Sequence, residues 1–310
     1  MIKILIFTVL FIINLSINSY SSDSVSIVLK VDNEIITNTD IKNESKYLIA
    51  LNKDLAKLGN NEIYKIAKDS IVREKIKIKE LKNYIDLDKF DDENLIQSVL
   101  RNFYSKLNIQ NFEDFKVYLN KNDLSYANIR SKIKVEILWN HLISELYKKQ
   151  VIINEKKIKE KIISEKLNEQ QFLEYDLSEI VFSIDDENSY KETYSKISDS
   201  ISKFGFKVTA NKFSVADSNK FGGEIGIVNE NQLSNLIREV LKNIEIGQFT
   251  KPILVANGYM ILKVNDKKII NNELDEKKIL KDLIEFEKKK QFNQFSAIHF
   301  NKAKINSKIR

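Results

Sequence analysis

Apolar residues recur at two spacings along this chain, and the changes between them mark its elements. From Ser26 to Val31 and again from Ile35 to Thr37, β-branched residues flank the polar Asp32-Asn33-Glu34, which predicts a small hairpin. Thr39 or Asp40 can then cap a helix. Ile41, Leu48, Leu51, Leu55 and Leu58 follow at helical spacing, with Gly59 as a plausible stop. A second helix carries Ile63, Ile66, Ala67, Ile71, Ile78 and Leu81. Phe112, Phe115 and Leu119 make a short third stripe. Tyr126, Ile129, Ile133 and Ile137 start a long fourth helix running past Trp139 toward Tyr147, and a further helix spans about Asn154 to Leu167.

Strands and turns then dominate. Leu177 to Phe182 reads as a strand, and Tyr194, Ile197, Ile201 and Phe204 as a helical stripe ended by Gly205. Leu233, Ile237, Leu241 and Ile244 form another stripe, and Tyr259 to Val264 alternates as a strand does. This order predicts a small α+β unit. The tail returns to helix at Ile279, Leu283 and Phe286. Ala303 to Ile309 alternates again and predicts a half-buried strand. An unpaired strand edge is a liability, so the amino-terminal hairpin is its expected partner, and the two ends of the mature chain are expected to meet.

Met1 to Ser22 has a different character. Lys3 precedes a run from Ile4 to Leu15 that is apolar except for Thr8 and Asn14, and Ser19-Tyr20-Ser21 supplies small residues of the kind a signal peptidase selects. Residues 1–22 therefore read as a cleaved secretory signal. The apolar run is shorter than the roughly 20 residues a membrane span requires. An uncleaved anchor is the competing reading.

Composition narrows the chemistry. Cysteine is absent, which excludes disulfides, thiolate metal sites and cysteine nucleophiles. Only His141 and His299 are present, too few for a histidine zinc cluster. The net charge is +6, but five arginines leave 45 lysines, interspersed with acids as in Glu287-Lys288-Lys289-Lys290. Solvated helix faces explain this better than a nucleic-acid footprint, so no nucleic-acid partner is expected. There is no G-x-x-x-x-G-K-[ST] loop, and neither nucleotide nor other cofactor is expected. Six of the seven glycines and the single proline, Pro252, fall between Gly205 and Gly258, marking one turn-rich module inside a helix-rich chain.

Within that module, Phe221-Gly222-Gly223-Glu224-Ile225-Gly226 is followed by Gly247-Gln248-Phe249-Thr250-Lys251-Pro252 and then by Gly258-Tyr259-Met260-Ile261-Leu262-Lys263-Val264. With Leu177-Ser178-Glu179-Ile180-Val181 upstream, the segment from about Leu177 to Asp266 resembles the parvulin family of peptidyl-prolyl isomerases. The surrounding pattern, including Val31 to Thr37, a helical domain and a helix-strand tail, resembles the SurA-like periplasmic chaperones. The resemblance implies an α+β chain with a mainly helical chaperone core, its terminal segments packed together around one inserted parvulin-like domain. The implied boundaries are 23–172 for the helical domain with its opening hairpin, 173–268 for the parvulin-like domain, and 269–310 for the returning helix and strand.

Rotation about an X-Pro bond faces a barrier of roughly 18–20 kcal/mol, and a catalyst must favour the twisted amide over the planar one. The family pattern implies two facing histidines, a Cys or Asp between them, and an apolar pocket for the proline ring. Carried over residue by residue, the histidine positions are Glu179 and Met260, and the Cys/Asp position falls near Asp217, with Ala216 adjacent. The peptide-binding positions are Ile225, Leu233, Ile237 and Asn257. Both imidazoles are replaced. Either Glu179 and Asp217 form another polar network with weak activity, or the module keeps a peptide groove and has lost turnover; the second reading is favoured, because two carboxylates oppose negative charge on a carbonyl oxygen. The expected partners are unfolded outer-membrane β-barrel polypeptides, held without ATP in the periplasm, with the membrane involved only indirectly. The competing function is a working prolyl isomerase for exported proteins. Tyr47, Phe103, Tyr104, Phe112, Phe115, Tyr118, Tyr126 and Trp139 are candidates for an apolar client surface, and each is also a natural core residue.

Overall fold

The computed structural model describes residues 24–166, 171–184, 189–255, 258–271 and 276–310. The expected signal at 1–22 lies outside the described residues. The hairpin forms from β1 (Ile27–Val31) and β2 (Glu34–Thr37). Five helices follow: α1 (Asn38–Leu51), α2 (Asn60–Lys82), α3 (Glu93–Ser105), α4 (Phe112–Lys121) and α5 (Tyr126–Tyr147). The cap of α1 is Thr37, not Thr39 or Asp40. The Thr37 hydroxyl accepts from the Asp40 backbone N–H, and the Asp40 carboxylate accepts from that of Thr37, closing a capping box. Gly59 starts α2 and does not end α1, which stops at Leu51 and gives way to a 3-10 turn at Lys53–Lys57.

These elements enclose a core around Val31, Ile36, Ile41, Ala67, Leu81, Leu100, Phe115 and Trp139. The aromatic residues considered for a client surface are largely consumed there. Tyr47, Tyr104, Phe115 and Trp139 are buried, Phe103, Phe112 and Tyr126 pack against the core, and the Tyr118 hydroxyl donates to the Ala50 carbonyl.

Helix α6 (Glu155–Lys166) leads to the sheet module. Its elements are β3 (Gln171–Phe182), α7 (Ser189–Phe204), α8 (Phe206–Phe213), β4 (Glu224–Asn229), α9 (Asn235–Lys242), β5 (Ile253–Val255) and β6 (Gly258–Asn271). The sheet order is β4-β3-β6-β5, all antiparallel. β3 and β6 pair from Gln171↔Asn271 to Phe182↔Tyr259, so the paired strands reach past both ends of the expected 173–268 unit. One sheet face packs Tyr175, Leu177, Leu262 and Val264 with Leu241 of α9. The other packs Ile180, Phe182 and Ile261 under Ile197 and Ile201 of α7 and Ala210 of α8.

The chain then returns as α10 (Glu276–Ile305), which lies against α2, α5 and α6. Trp139 Nε1 donates to Ser296 Oγ at 2.8 Å, and the buried His299 ring lies between the Tyr147 hydroxyl (3.0 Å) and Glu80 Oε1 (3.1 Å). The expected strand over Ala303 to Ile309 is corrected: Ala303, Lys304 and Ile305 complete α10, because their alternation is too short to override a 30-residue helix. Only the last residues extend. Arg310 exchanges backbone hydrogen bonds with Lys30 (2.8 and 3.0 Å), and Asp32 N–H donates to the Lys308 carbonyl at 2.9 Å. The two ends of the described chain therefore meet on β1. Among the described residues no helix is long and apolar enough to cross a membrane.

The module sits on the helical domain through α8 and the turn after it. Val208 joins the helical core, Asn52 Nδ2 donates to Asn211 Oδ1 at 2.6 Å, and Arg73 donates to the Val215 carbonyl at 2.8 Å. Phe221 meets Phe103 edge-on at 5.4 Å.

Candidate functional site

The site begins where the chain enters β4, alongside β3. Glu179 N–H donates to the Gly223 carbonyl at 2.7 Å, and a Cβ on Gly223 would stand 2.2 Å from the Glu179 carbonyl oxygen. Gly222 and Gly223 both have positive φ (69° and 82°), a region that side chains disfavour. Gly223 is thus what allows the backbone to pass so close to Glu179, while a Cβ on Gly222 would strike Lys207. A bulge at Leu177/Ser178 accommodates Ile225 in β4.

Strand alternation places Glu179 on the same face as Leu177 and Val181. Met260 pairs with Val181 and Leu262 with Glu179, so Glu179 and Met260 are diagonal neighbours on that face. Half-buried Met260 and Ile237 pack against the cluster that holds Leu233. All three belong to the apolar cluster on this sheet face. Ile225 stands apart from it, 39% exposed and on the edge strand. Asn257 lies outside the described residues.

The polar side is built by the 3-10 turn Asp217–Phe221. Ser218 Oγ donates to Glu179 Oε1 at 2.9 Å. Burial raises the Glu179 carboxyl above the usual range; the Ser218 hydroxyl opposes this, and the nearby Asp217 carboxylate adds to it. Asp217 itself is largely exposed and pairs with Lys77 of α2 at 3.3 Å. Lys77 also holds Glu136 of α5 at 2.6 Å, and Lys220, from the same turn as Asp217, holds the other Glu136 oxygen at 2.8 Å. Burial alone would raise Glu136, but the Lys220 and Lys77 ammonium groups outweigh it and hold the carboxyl well below its ordinary range.

Residues 177–266 match the family described as Rotamase: PPIC-type PPIASE domain. This segment is a parvulin domain. Over a longer stretch the chain is similar to the chaperone SurA of Pseudomonas putida (22% identical over 254 residues, 78% of this chain and 58% of that protein). It is likewise similar to SurA of Pseudomonas aeruginosa (23% identical, 62% of this chain and 48% of that protein). The chain spans about half the length of these relatives. Among solved structures, one of the SurA-like chaperones PEB4 and Cj1289 of Campylobacter jejuni covers 92% of this chain, at 15% identity and a TM-score of 0.36.

The parvulin domain therefore brings Glu179, Met260, Leu233 and Ile237 to one face, with Asp217 at its rim. No imidazole stands there: His141 is exposed on α5, and His299 is buried in α10. Two groups that matter locally were not singled out from sequence. Ser218 could have been noticed as a hydroxyl beside Asp217. Lys77 could not, since it lies 140 residues from Asp217 and resembles every other helical lysine. The arrangement can seat an apolar ring against Met260, Leu233 and Ile237 and offer one buried, hydrogen-bonded carboxyl. Among the described residues it places no imidazole beside Glu179 or Met260.

Proposed function

We propose that this protein is a periplasmic, ATP-independent chaperone that holds unfolded outer-membrane β-barrel precursors, and that its parvulin domain serves as a peptide-binding site with little or no turnover. The observation carrying this reading is the combination at one face: the apolar pocket positions Leu233 and Ile237 are kept, while the family's histidine positions hold Glu179 and Met260, the latter packed in the same apolar cluster. Seating proline needs the apolar pocket; accelerating rotation needs groups that act more strongly on the twisted amide than on the planar one. Asp217, tied to Lys77, and Glu179, tied to Ser218, are poorly suited to that task. Export by a cleaved signal over residues 1–22 belongs to the same proposal. The net charge of +6 favours encounter with acidic unfolded chains.

Two assays on the full mature chain test it. Aggregation of an unfolded β-barrel protein should be suppressed without nucleotide, and a proline-peptide isomerisation assay should run near the spontaneous rate. Turnover well above that rate, falling on Glu179→Gln or Asp217→Asn, would establish the competing isomerase function. No suppression of aggregation would remove the chaperone function.

A further inference from the structure

Lys77 belongs to α2 of the helical domain, yet its side chain is buried at the joint with the parvulin domain. Its Nζ contacts Glu136 Oε2 at 2.6 Å and Asp217 Oδ1 at 3.3 Å, and Glu136 Oε1 contacts Lys220 Nζ at 2.8 Å. The four charges run Asp217–Lys77–Glu136–Lys220, two anions and two cations in alternation. Both ends of the series lie on the turn Asp217–Phe221. Between those ends is Ser218, whose hydroxyl meets Glu179 at 2.9 Å.

Buried ion pairs resist rearrangement, because displacing one partner leaves the other desolvated and uncompensated. The turn therefore cannot slide along α2 and α5 without exposing Glu136 or Lys77 to that penalty. Lys77 does a second thing. It faces Asp217, the charged group that acts on Glu179. The groups around Glu179 are the Ser218 hydroxyl and Asp217 carboxylate from the turn, the Gly223 backbone from the start of β4, and Met260 and Leu262 from β6.

We infer that Lys77 is a positioning residue for the parvulin domain's site, supplied by the helical domain: it holds the turn that carries Ser218 and offsets part of the charge of Asp217 beside Glu179. Through this, the helical domain shifts the balance between Glu179 meeting a bound peptide as a hydrogen-bond donor and as an anion. That last consequence rests on the peptide-binding function proposed above; the positioning does not.

The test uses the full chain with its glutamate side-chain carboxyls labelled with carbon-13 and titrated by NMR, the Glu179 signal being identified by its loss in Glu179→Gln. Lys77→Met should move the Glu179 midpoint up, because Asp217 is then unscreened. Asp217→Asn should move it down, because the like charge is gone, and Lys77→Arg should restore the wild-type midpoint. A turn that had merely loosened would lose the Ser218 hydrogen bond in both variants and move both midpoints up. An unmoved midpoint in Lys77→Met, or shifts of the same sign in Lys77→Met and Asp217→Asn, would overturn the inference. Should Lys77→Met fail to fold, Asp217→Asn, which breaks a single exposed pair, decides alone: an upward or absent shift overturns the inference. Calorimetry of a proline-containing peptide on the same samples tests the functional part separately. Failure of the wild-type chain to bind it at any pH would overturn the peptide-binding proposal and leave the Glu179 titration to decide the positioning.

Discussion

Replacing Gly223 with alanine probes the close approach of the chain entering β4 to β3 most directly. The residue has φ of 82°, where an L-residue is disfavoured by about 1–2 kcal/mol. The added Cβ would meet the Glu179 carbonyl oxygen at 2.2 Å and the Ala210 Cβ at 3.0 Å, so the strand must retreat from a backbone atom, not from a pliant side-chain tip. That retreat lengthens the Glu179 N–H to Gly223 bond, now 2.7 Å, whose loss costs about 1 kcal/mol. The combined cost is about 2–4 kcal/mol once the displaced packing is included. Gly226→Ala is the matched control: φ is 85°, but nothing lies within 4 Å of its Cβ, so only the backbone cost of about 1–2 kcal/mol applies. One global unfolding energy is ill-defined for a chain with two cores, so the assay is native-state hydrogen exchange at the Glu179 amide, supported by urea unfolding. Gly223→Ala should speed that exchange well beyond Gly226→Ala. Equal effects of the two substitutions would refute the claim that close approach, and not backbone conformation alone, requires glycine at 223.

Trp139→Ala removes a fully buried indole and its 2.8 Å bond to Ser296, and should cost about 3–5 kcal/mol by urea unfolding, with Trp139→Phe much milder. Glu136 has a folded-state pKa below its unfolded one, so its contribution to stability is complete above the ordinary glutamate range and drains away as pH falls below it; Glu136→Gln should flatten the acid limb of a stability-pH profile. Glu179 has the opposite sign, with stability lost as pH rises from the ordinary glutamate range through its elevated folded-state pKa. Glu179→Gln, which keeps an acceptor for Ser218, should therefore be the more stable protein at neutral pH, and its advantage should vanish in acid.

The module was legible because its glycines have local causes. Gly222, Gly223 and Gly258 each sit where a Cβ would strike a neighbour, and such positions leave a mark on composition. Helix α3 was legible in principle. Asp92 caps it by accepting from Leu95 N–H, and Ile96, Leu100 and Tyr104 are its buried stripe, although Phe103 and Tyr104 side by side draw the eye as aromatics more than as part of that stripe. β4 was obscured by the same glycines that announced the module, since a strand interrupted by Gly226 and a bulge reads as turn. The alternation from Ala303 to Ile309 failed for a different reason: three residues of it fit a helix end as well as a strand. The Lys77–Glu136 pair spans 59 residues and joins two helices whose lysines all look alike in sequence, so no local pattern could single it out.

Two turns border the site, and the helical part of the chain holds both. Lys77 and Glu136 secure Asp217–Phe221, while Lys161 of α6 donates to the carbonyls of Asn231 and Leu233, at and just beyond the turn Glu230–Gln232. The buried Glu230 carboxylate also accepts from the Leu173 N–H at 2.6 Å, a donor that precedes the 177–266 segment. A fragment cut at 177 and 266 would therefore lose its partners for Asp217 and Lys220, the amide bound by Glu230, and the ammonium that ties down the approach to Leu233. These losses fall beside residues of the candidate site, and the cut also removes Tyr175 from one face of the sheet core, while Ile180 and Ile261 on the other face keep their cover from α7 and α8. The ties that place Glu179, Leu233 and Ile237 in the whole chain are therefore missing from such a fragment. Activity or peptide affinity measured on it would describe the fragment, and only the intact chain can show what the parvulin domain does in this protein.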